Sequence, residues 1–484
     1  MTLRKQVFSA IRWTAGARAI SQVITWAITL VVVRLLTPGD YGLLAMASIF
    51  LGFMVTLADA GMGPFLVQRP ELTGRIVKQM FGLVLLVYLA LAGLLVLTAP
   101  LIAQFFDEPR LVSVARVLSL HLVLGSLAVV PDAVLQRTLQ FRNRSVLELG
   151  AAVLGSLTTL GLAMAGAGVW ALVSGTLTTQ AVRTLGVNLL ARTLAWPELS
   201  WSSARALLKV GSQTSASGFV SFLLMQADSF IAGKWLGKDL LGAYSVAMHL
   251  ASLPNQRIST LIGQVAFPAF SRVQHDRKMV ASYVLLGVRV LSLFSFPIFW
   301  GLSSVASEFV QVILGPKWLA STIPLQIISL VMPLRTINTF VPNAIQGLGR
   351  FDVALKNVVL SFAIFVLAFT VGVQWGLLGL CLAWLVAMPI ASLITMRINM
   401  RILETPMKSL FLSMGRPAIA ALLMYCTISL CRSTVLSSVS DPSKLALSII
   451  VGFVAYVGLI RLIDRAGFDE LIGLLRELTG RPER

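Results

Sequence analysis

Charged side chains are scarce. Asp, Glu, Lys and Arg make up 12% of 484 residues, where a soluble globular chain carries roughly a quarter. With 57% apolar residues and a mean hydropathy of +0.86, this excludes a water-soluble enzyme and places the chain in a bilayer. Histidine is rarer still: His121, His249 and His275 are the whole set. No H-E-x-x-H, G-x-S-x-G, P-loop or paired-acid motif occurs. A membrane enzyme acting on sugars needs acids clustered at one interface or a long extramembrane loop, and neither is present, so the expectation is a protein that is not an enzyme and needs no cofactor. Cys381, Cys426 and Cys431 all lie in apolar runs, which excludes a disulfide framework and a thiolate zinc site. The first apolar run, about 10–36, is too long for a signal peptide and lacks a cleavage pattern, so it is expected to remain as a span.

What is present is a succession of apolar stretches, each near the ~20 residues that cross a bilayer. They fall near 10–36, 41–66, 80–104, 111–135, 146–165, 168–190, 207–235, 240–267, 282–305, 319–347, 353–373, 376–396, 410–431 and 445–463, which predicts an all-α membrane protein of fourteen transmembrane helices. The net charge of +19 is spread over short clusters between these runs and reads as topology rather than as a nucleic-acid surface. The amino terminus and alternate connections hold most of the basic residues, among them Arg75 and Lys78, Arg142 and Arg144, Arg277 and Lys278, and Arg461 and Arg465. The other connections hold Arg34, Arg110, Lys234, Lys238, Lys317, Arg432 and Lys444. Positive charge is retained on the cytoplasmic side, so both termini are expected there.

Two internal matches argue for a duplicated architecture. Arg34-Leu35-Leu36 with Gly42 and Ala47 returns as Lys234-Trp235-Leu236 with Gly242 and Ala247, and Val130-Pro131-Asp132-Ala133 returns as Val341-Pro342-Asn343-Ala344. The expected organisation is two pseudo-symmetric six-helix lobes, 1–195 and 205–403, two further helices over 404–463, and an amphipathic cytoplasmic tail over 464–484 carrying Phe468, Leu471, Ile472, Leu475 and Leu478. Repeats of this kind are a transporter feature, with the substrate path where the repeats meet.

Charges inside spans are expensive and therefore candidates for function. Arg18, Asp59 and Arg257 fall at one depth, toward the cytoplasmic side of their spans, and Arg18 continues into a polar stripe through Gln22, Thr25 and Thr29. Arg18 and Asp59 have two readings, an ion pair between the first two helices or part of a cavity wall. Arg257 has no acid at its depth and reads as a cavity residue. Arg335, near the centre of the tenth span, is divided between substrate contact and packing. Asp228 is divided between a coupling-proton site and a partner for Arg335. Arg12, Arg116, Arg183, Arg289 and Glu148 lie nearer span ends, where snorkelling suffices, and His249 reads as a packing histidine. An interior richer in arginine than in acid suits an anion, because guanidinium makes bidentate contacts with phosphate.

The opening basic segment into Trp13, Arg34-Leu-Leu-Thr-Pro-Gly-Asp-Tyr-Gly-Leu-Leu, Asp59-Ala-Gly-Met-Gly, Gly242-Ala-Tyr, Ala266-Phe-Pro-Ala-Phe-Ser-Arg-Val-Gln and Leu314-Gly-Pro-Lys-Trp together resemble the Wzx-type flippases of the multidrug/oligosaccharidyl-lipid/polysaccharide exporter superfamily, in the branch exporting colanic-acid- or xanthan-type repeat units. The resemblance implies movement of an undecaprenyl-pyrophosphate-linked oligosaccharide from the cytoplasmic to the periplasmic leaflet of the bacterial inner membrane. It also implies a cationic cavity between lobes, energy from an ion gradient or membrane potential, and possible partnership with polymerase and export proteins. The last two spans resemble the extra pair bordering a groove for the polyprenyl tail. Two alternatives are a multidrug cation exporter of the same superfamily and a non-transporting scaffold of a polysaccharide assembly complex.

Overall fold

The structure, a computed structural model, describes residues 24–58, 73–138, 141–191, 197–198, 222–255, 270, 275–434, 436 and 439–465. Every regular element among them is helical. In chain order these are α1 (Ile24–Leu35), α2 (Pro38–Ala58), α3 (Gly74–Phe106), α4 (Leu111–Arg137), α5 (Phe141–Met164), α6 (Val169–Ala191) and α7 (222–255). There follow α8 (Arg277–Ser304), α9 (Thr322–Gly347), α10 (Phe351–Gly372), α11 (Gly376–Ile402), α12 (Met407–Ser433) and α13 (Asp441–Ile463). Among the described residues nine stretches are long and apolar enough to cross a membrane, one of them, Phe351–Ile402, comprising both α10 and α11. The chain is thus a multi-pass membrane protein. Of the fourteen expected spans, the first, second, seventh and eighth lie partly outside the described residues, the seventh and eighth falling in the single helix α7, and the amphipathic tail beyond Arg465 lies wholly outside them.

Helix boundaries follow from local chemistry. Thr37-Pro38-Gly39-Asp40 closes a capping box: the Thr37 amide donates to Asp40 Oδ2 at 3.0 Å and the Asp40 amide to Thr37 Oγ1 at 3.3 Å, with Pro38 in the first turn of α2, where its missing amide costs nothing. Thr73 caps α3 by accepting from the Ile76 amide, and Asp276 caps α8 by accepting from Met279 at 3.0 Å. These side chains satisfy amides that a helix start leaves open.

Contacts divide the chain into two compact units, Met1–Gly242 and Ala243–Arg484. The division falls inside α7, whereas the repeat places the lobe boundary near 195–205, so residues 222–242 group with the first half. Phe222 packs on Gly52 and Phe230 stacks on Phe105 with centroids 5.1 Å apart. Lys234 and Lys238 pair with Asp107 at 3.0 Å and Glu108 at 2.5 Å. In the same unit the two glycines of the first repeat match lock together: a Cβ on Gly42 would strike the Lys238 backbone, and one on Gly242 the Pro38 backbone. A second reciprocal pair closes the α5–α6 hairpin, Gly155 facing Thr179 and Gly175 facing Thr159. Small residues at helix contacts let backbones approach where lipid supplies no hydrophobic drive between helices.

In the second unit Val284, Val288 and Leu293 of α8, Ile337 and Phe340 of α9, Ala421 and Met424 of α12, and Tyr456 and Ile460 of α13 share one core. Asp464, 2% exposed, accepts from Arg289 of α8 at 2.9 Å and Arg416 of α12 at 3.2 Å. At the other end of α12, Arg432 pairs with Glu308 at 2.7 Å. The last two helices are thereby fastened to α8 and its continuation.

Candidate substrate-binding sites

Of the charges singled out from sequence, Arg18, Gln22, Asp59 and Arg257 lie outside the described residues. Asp228 is 3% exposed in α7, in the first unit, and its Oδ1 accepts from the Ser229 amide at 2.7 Å. Arg335 sits at the middle of the 26-residue α9, in the second unit. The structure describes no contact that assigns either residue to transport.

Arg335 is half-buried. Its guanidinium lies over the Trp384 ring of α11, 5.3 Å from the centroid, and Nη1 donates to Met248 Sδ at 3.5 Å. Trp384 is itself fixed, its Nε1 donating to Tyr244 Oη at 2.7 Å and its ring meeting Phe365 and Phe369 with centroids 4.9 and 5.2 Å away. Beside it Asn338 donates to Ser392 Oγ at 2.6 Å. Among the described residues of this unit, no carboxylate lies within 4.0 Å of Arg335. Cation–π contact offsets part of the cost of a charge at this depth. It leaves the positive charge standing.

The first unit contains a cavity of about 380 Å³, and its origin is local. Pro131 has no amide to donate to the Leu127 carbonyl, so α4 breaks at Leu127–Ala128. Asn188 of α6 supplies the missing donor to Leu127 at 2.9 Å, and Thr184 donates to the Leu124 carbonyl at 3.0 Å. The break turns Asp132 inward, 8% exposed. Arg144 reaches it with Nε at 2.9 Å and Nη2 at 3.1 Å, Arg183 with Nη2 at 3.3 Å, and Gln136 with Nε2 at 3.2 Å. Tyr88, His121, Gln180, Arg183 and Gln136 share the lining with Asp132, and His121 Nδ1 is buried without a hydrogen-bond partner among the described residues.

Sequence reasoning set Arg183 aside as a residue near a span end. The structure instead gives it a carboxylate and a cavity wall. Asp132, Arg144, His121 and Gln180 also went unselected. The available signal was the Val130-Pro131-Asp132 match to Val341-Pro342-Asn343: a proline beside an acid inside an apolar run marks a broken helix with a buried charge. The match also hides a difference, since among the described residues Asn343 bonds only to carbonyls of its own helix, Thr339 at 2.8 Å and Phe340 at 3.3 Å.

No group of three or more metal-ligating side chains occurs among the described residues. Residues 31–324 match a protein family described as polysaccharide biosynthesis protein. The lipopolysaccharide biosynthesis protein WzxC of Escherichia coli K12 is 25% identical over 82% of this chain and 81% of its own length. The succinoglycan biosynthesis transport protein ExoT of Rhizobium meliloti is 26% identical over 98% of this chain and 96% of its own. Among solved structures, the lipid II flippase MurJ in an inward closed conformation superposes with a TM-score of 0.74, at 14% identity, over 94% of this chain and 99% of that one, and so shares the fold.

Proposed function

Because the chain belongs to the polysaccharide biosynthesis protein family, we propose that it is a flippase that moves undecaprenyl-pyrophosphate-linked oligosaccharide repeat units from the cytoplasmic to the periplasmic leaflet for exopolysaccharide synthesis. A relative named as a succinoglycan biosynthesis transport protein, matched over nearly the full length, supports this reading. The observation that carries it is Arg335, a half-buried guanidinium at mid-helix with no carboxylate of its own unit in reach among the described residues. Translocon scales put such a charge at about 2.5–3.5 kcal/mol when uncompensated. An anionic headgroup compensates it during transport, and a cationic drug does not.

Arg335 and, from sequence alone, Arg18, Gln22 and Arg257 are the candidates for substrate contact, the arginines by pairing with a pyrophosphate. Asp59 holds Arg18 when the site is empty, and Asp228 is the candidate for the coupling ion. Transport proceeds by alternating access on an ion gradient or membrane potential, in the bacterial inner membrane with both termini cytoplasmic. The test is polymer export in a flippase-deficient host supplied with different repeat units in turn. Export restored by this chain for at least one repeat unit supports the reading, and failure with all of them at normal protein abundance contradicts it.

A further inference from the structure

The first-unit cavity has a lining whose chemistry restricts its ligand. The one carboxylate among the described residues of its lining, Asp132, is already held by Arg144 and Arg183 at 2.9 and 3.3 Å, so these residues offer no net negative charge to a cation. Both guanidiniums are in turn engaged by Asp132, and Arg144 lies within 3.3 Å of Glu148 as well, so the network is near neutrality and offers a full anion little. What remains on the wall is the imidazole of His121 and the amides of Gln136 and Gln180, groups that both donate and accept, beside the Tyr88 ring and the apolar Val55 and Val129. His121 Nδ1 has no partner among the described residues, although a buried polar atom costs free energy until it finds one. The volume, about 380 Å³, falls at the lower end of small-ligand sites.

Donor–acceptor side chains alternating with apolar and aromatic surface match a pyranose, whose hydroxyls donate and accept around a ring with C–H faces. We propose that this cavity binds a sugar ring of the transported oligosaccharide and sets which repeat units are accepted, with His121 and Gln180 reading hydroxyl positions. The proposal rests on the flippase reading and deepens it: Arg335 serves a feature common to all such substrates, and the cavity serves what differs among them.

The experiment compares export of two repeat units, one of neutral hexoses only and one carrying a uronic acid, in a flippase-deficient host. Wild type is set beside His121→Gln, Gln180→Ala and Arg335→Gln, with protein abundance measured for each. A cavity that selects sugars predicts that His121→Gln, and Gln180→Ala where it folds, change the ratio of the two exports by about threefold or more, the effect of losing a hydrogen bond, while Arg335→Gln lowers both together. In parallel, saturation-transfer NMR on the purified protein with methyl glucoside and methyl glucuronide should give ring-proton transfer that His121→Gln weakens for at least one of them. His121→Gln breaks no bond in the described structure, so it keeps the test valid if Gln180→Ala folds poorly. An unchanged export ratio in His121→Gln, with both exports normal or both reduced in proportion, overturns the proposal. Wild type exporting neither of these nor any other repeat unit supplied overturns the flippase reading itself, a distinguishable failure.

Discussion

At the scale of single residues, the two charged centres differ in how they are balanced, and mutation should separate them. Arg335→Gln should lower export about tenfold or more with protein abundance preserved, since hydrogen bonds to a charged group contribute ~1.5–3 kcal/mol and 1.4 kcal/mol is a factor of ten. Arg335→Lys should rescue only in part, because an ammonium lacks the planar fork and its stacking on Trp384. Quantified surface polymer normalised to membrane-protein abundance checks both. Asp132→Asn should act on stability instead. It leaves Arg144 and Arg183 beside a neutral amide, and the loss is on the order of 1–3 kcal/mol, below the ~3–5 kcal/mol of a fully buried pair, because the arginine side chains stay 26% and 35% exposed. A lower midpoint of thermal unfolding in detergent is the expected readout, and an unchanged midpoint would show that the network contributes nothing to folding. The sequence revealed Arg335 because its distance from both ends of an apolar run is countable. Arg183 and Arg144 escaped because the same counting puts them near span ends, and their role comes from the break at Pro131, which brings three helices to one carboxylate.

Among elements, the close glycine contacts make sharper predictions than the apolar packing around them. A Cβ at Gly42 meets backbone of Lys238 rather than a movable side-chain tip, so Gly42→Val should push α2 from α7 and reduce export even where the protein is still inserted. Gly150→Val, at a position on α5 with nothing within 4 Å of the added atom, should be silent. A complementation assay on the two variants checks the difference. The last helix pair depends on Asp464: Asp464→Asn removes the negative charge shared by Arg289 and Arg416, and hydrogen exchange should quicken in α13 before it does in α9. Helix positions were largely legible in advance because a bilayer demands long apolar runs with polar punctuation. The run expected at 353–373 is Phe351–Gly372, and that at 445–463 is Asp441–Ile463. The interruption of α4 at Leu127–Ala128 is invisible to hydropathy, which is insensitive to a missing backbone donor, and only Pro131 beside Asp132 signals it. The grouping of 222–242 with the first half was not legible, for it depends on the Phe230 and Lys234 contacts to α3.

For the whole molecule, the proposed orientation rests on the asymmetry of basic residues between alternate connections. Connections assigned to one side do meet within each unit: Arg277 before α8 pairs with Glu404 after α11 at 2.7 Å, and Lys234 with Asp107. A cysteine placed at Gln274, in a background with Cys381, Cys426 and Cys431 replaced, should therefore react with an impermeant maleimide only after the membrane is opened. Labelling of intact cells would reverse the topology. The central claim, that this chain carries a lipid-linked oligosaccharide across the bilayer through a site with unbalanced positive charge, is tested most directly by transfer in liposomes. Purified protein is reconstituted with the lipid-linked oligosaccharide, and the substrate's accessibility to an added glycosidase is followed with time. The account predicts transfer well above protein-free liposomes for the wild type, and about tenfold slower transfer for Arg335→Gln at equal incorporation. Wild-type transfer no faster than in protein-free liposomes, with the membrane potential and ion gradients varied in turn, would contradict it.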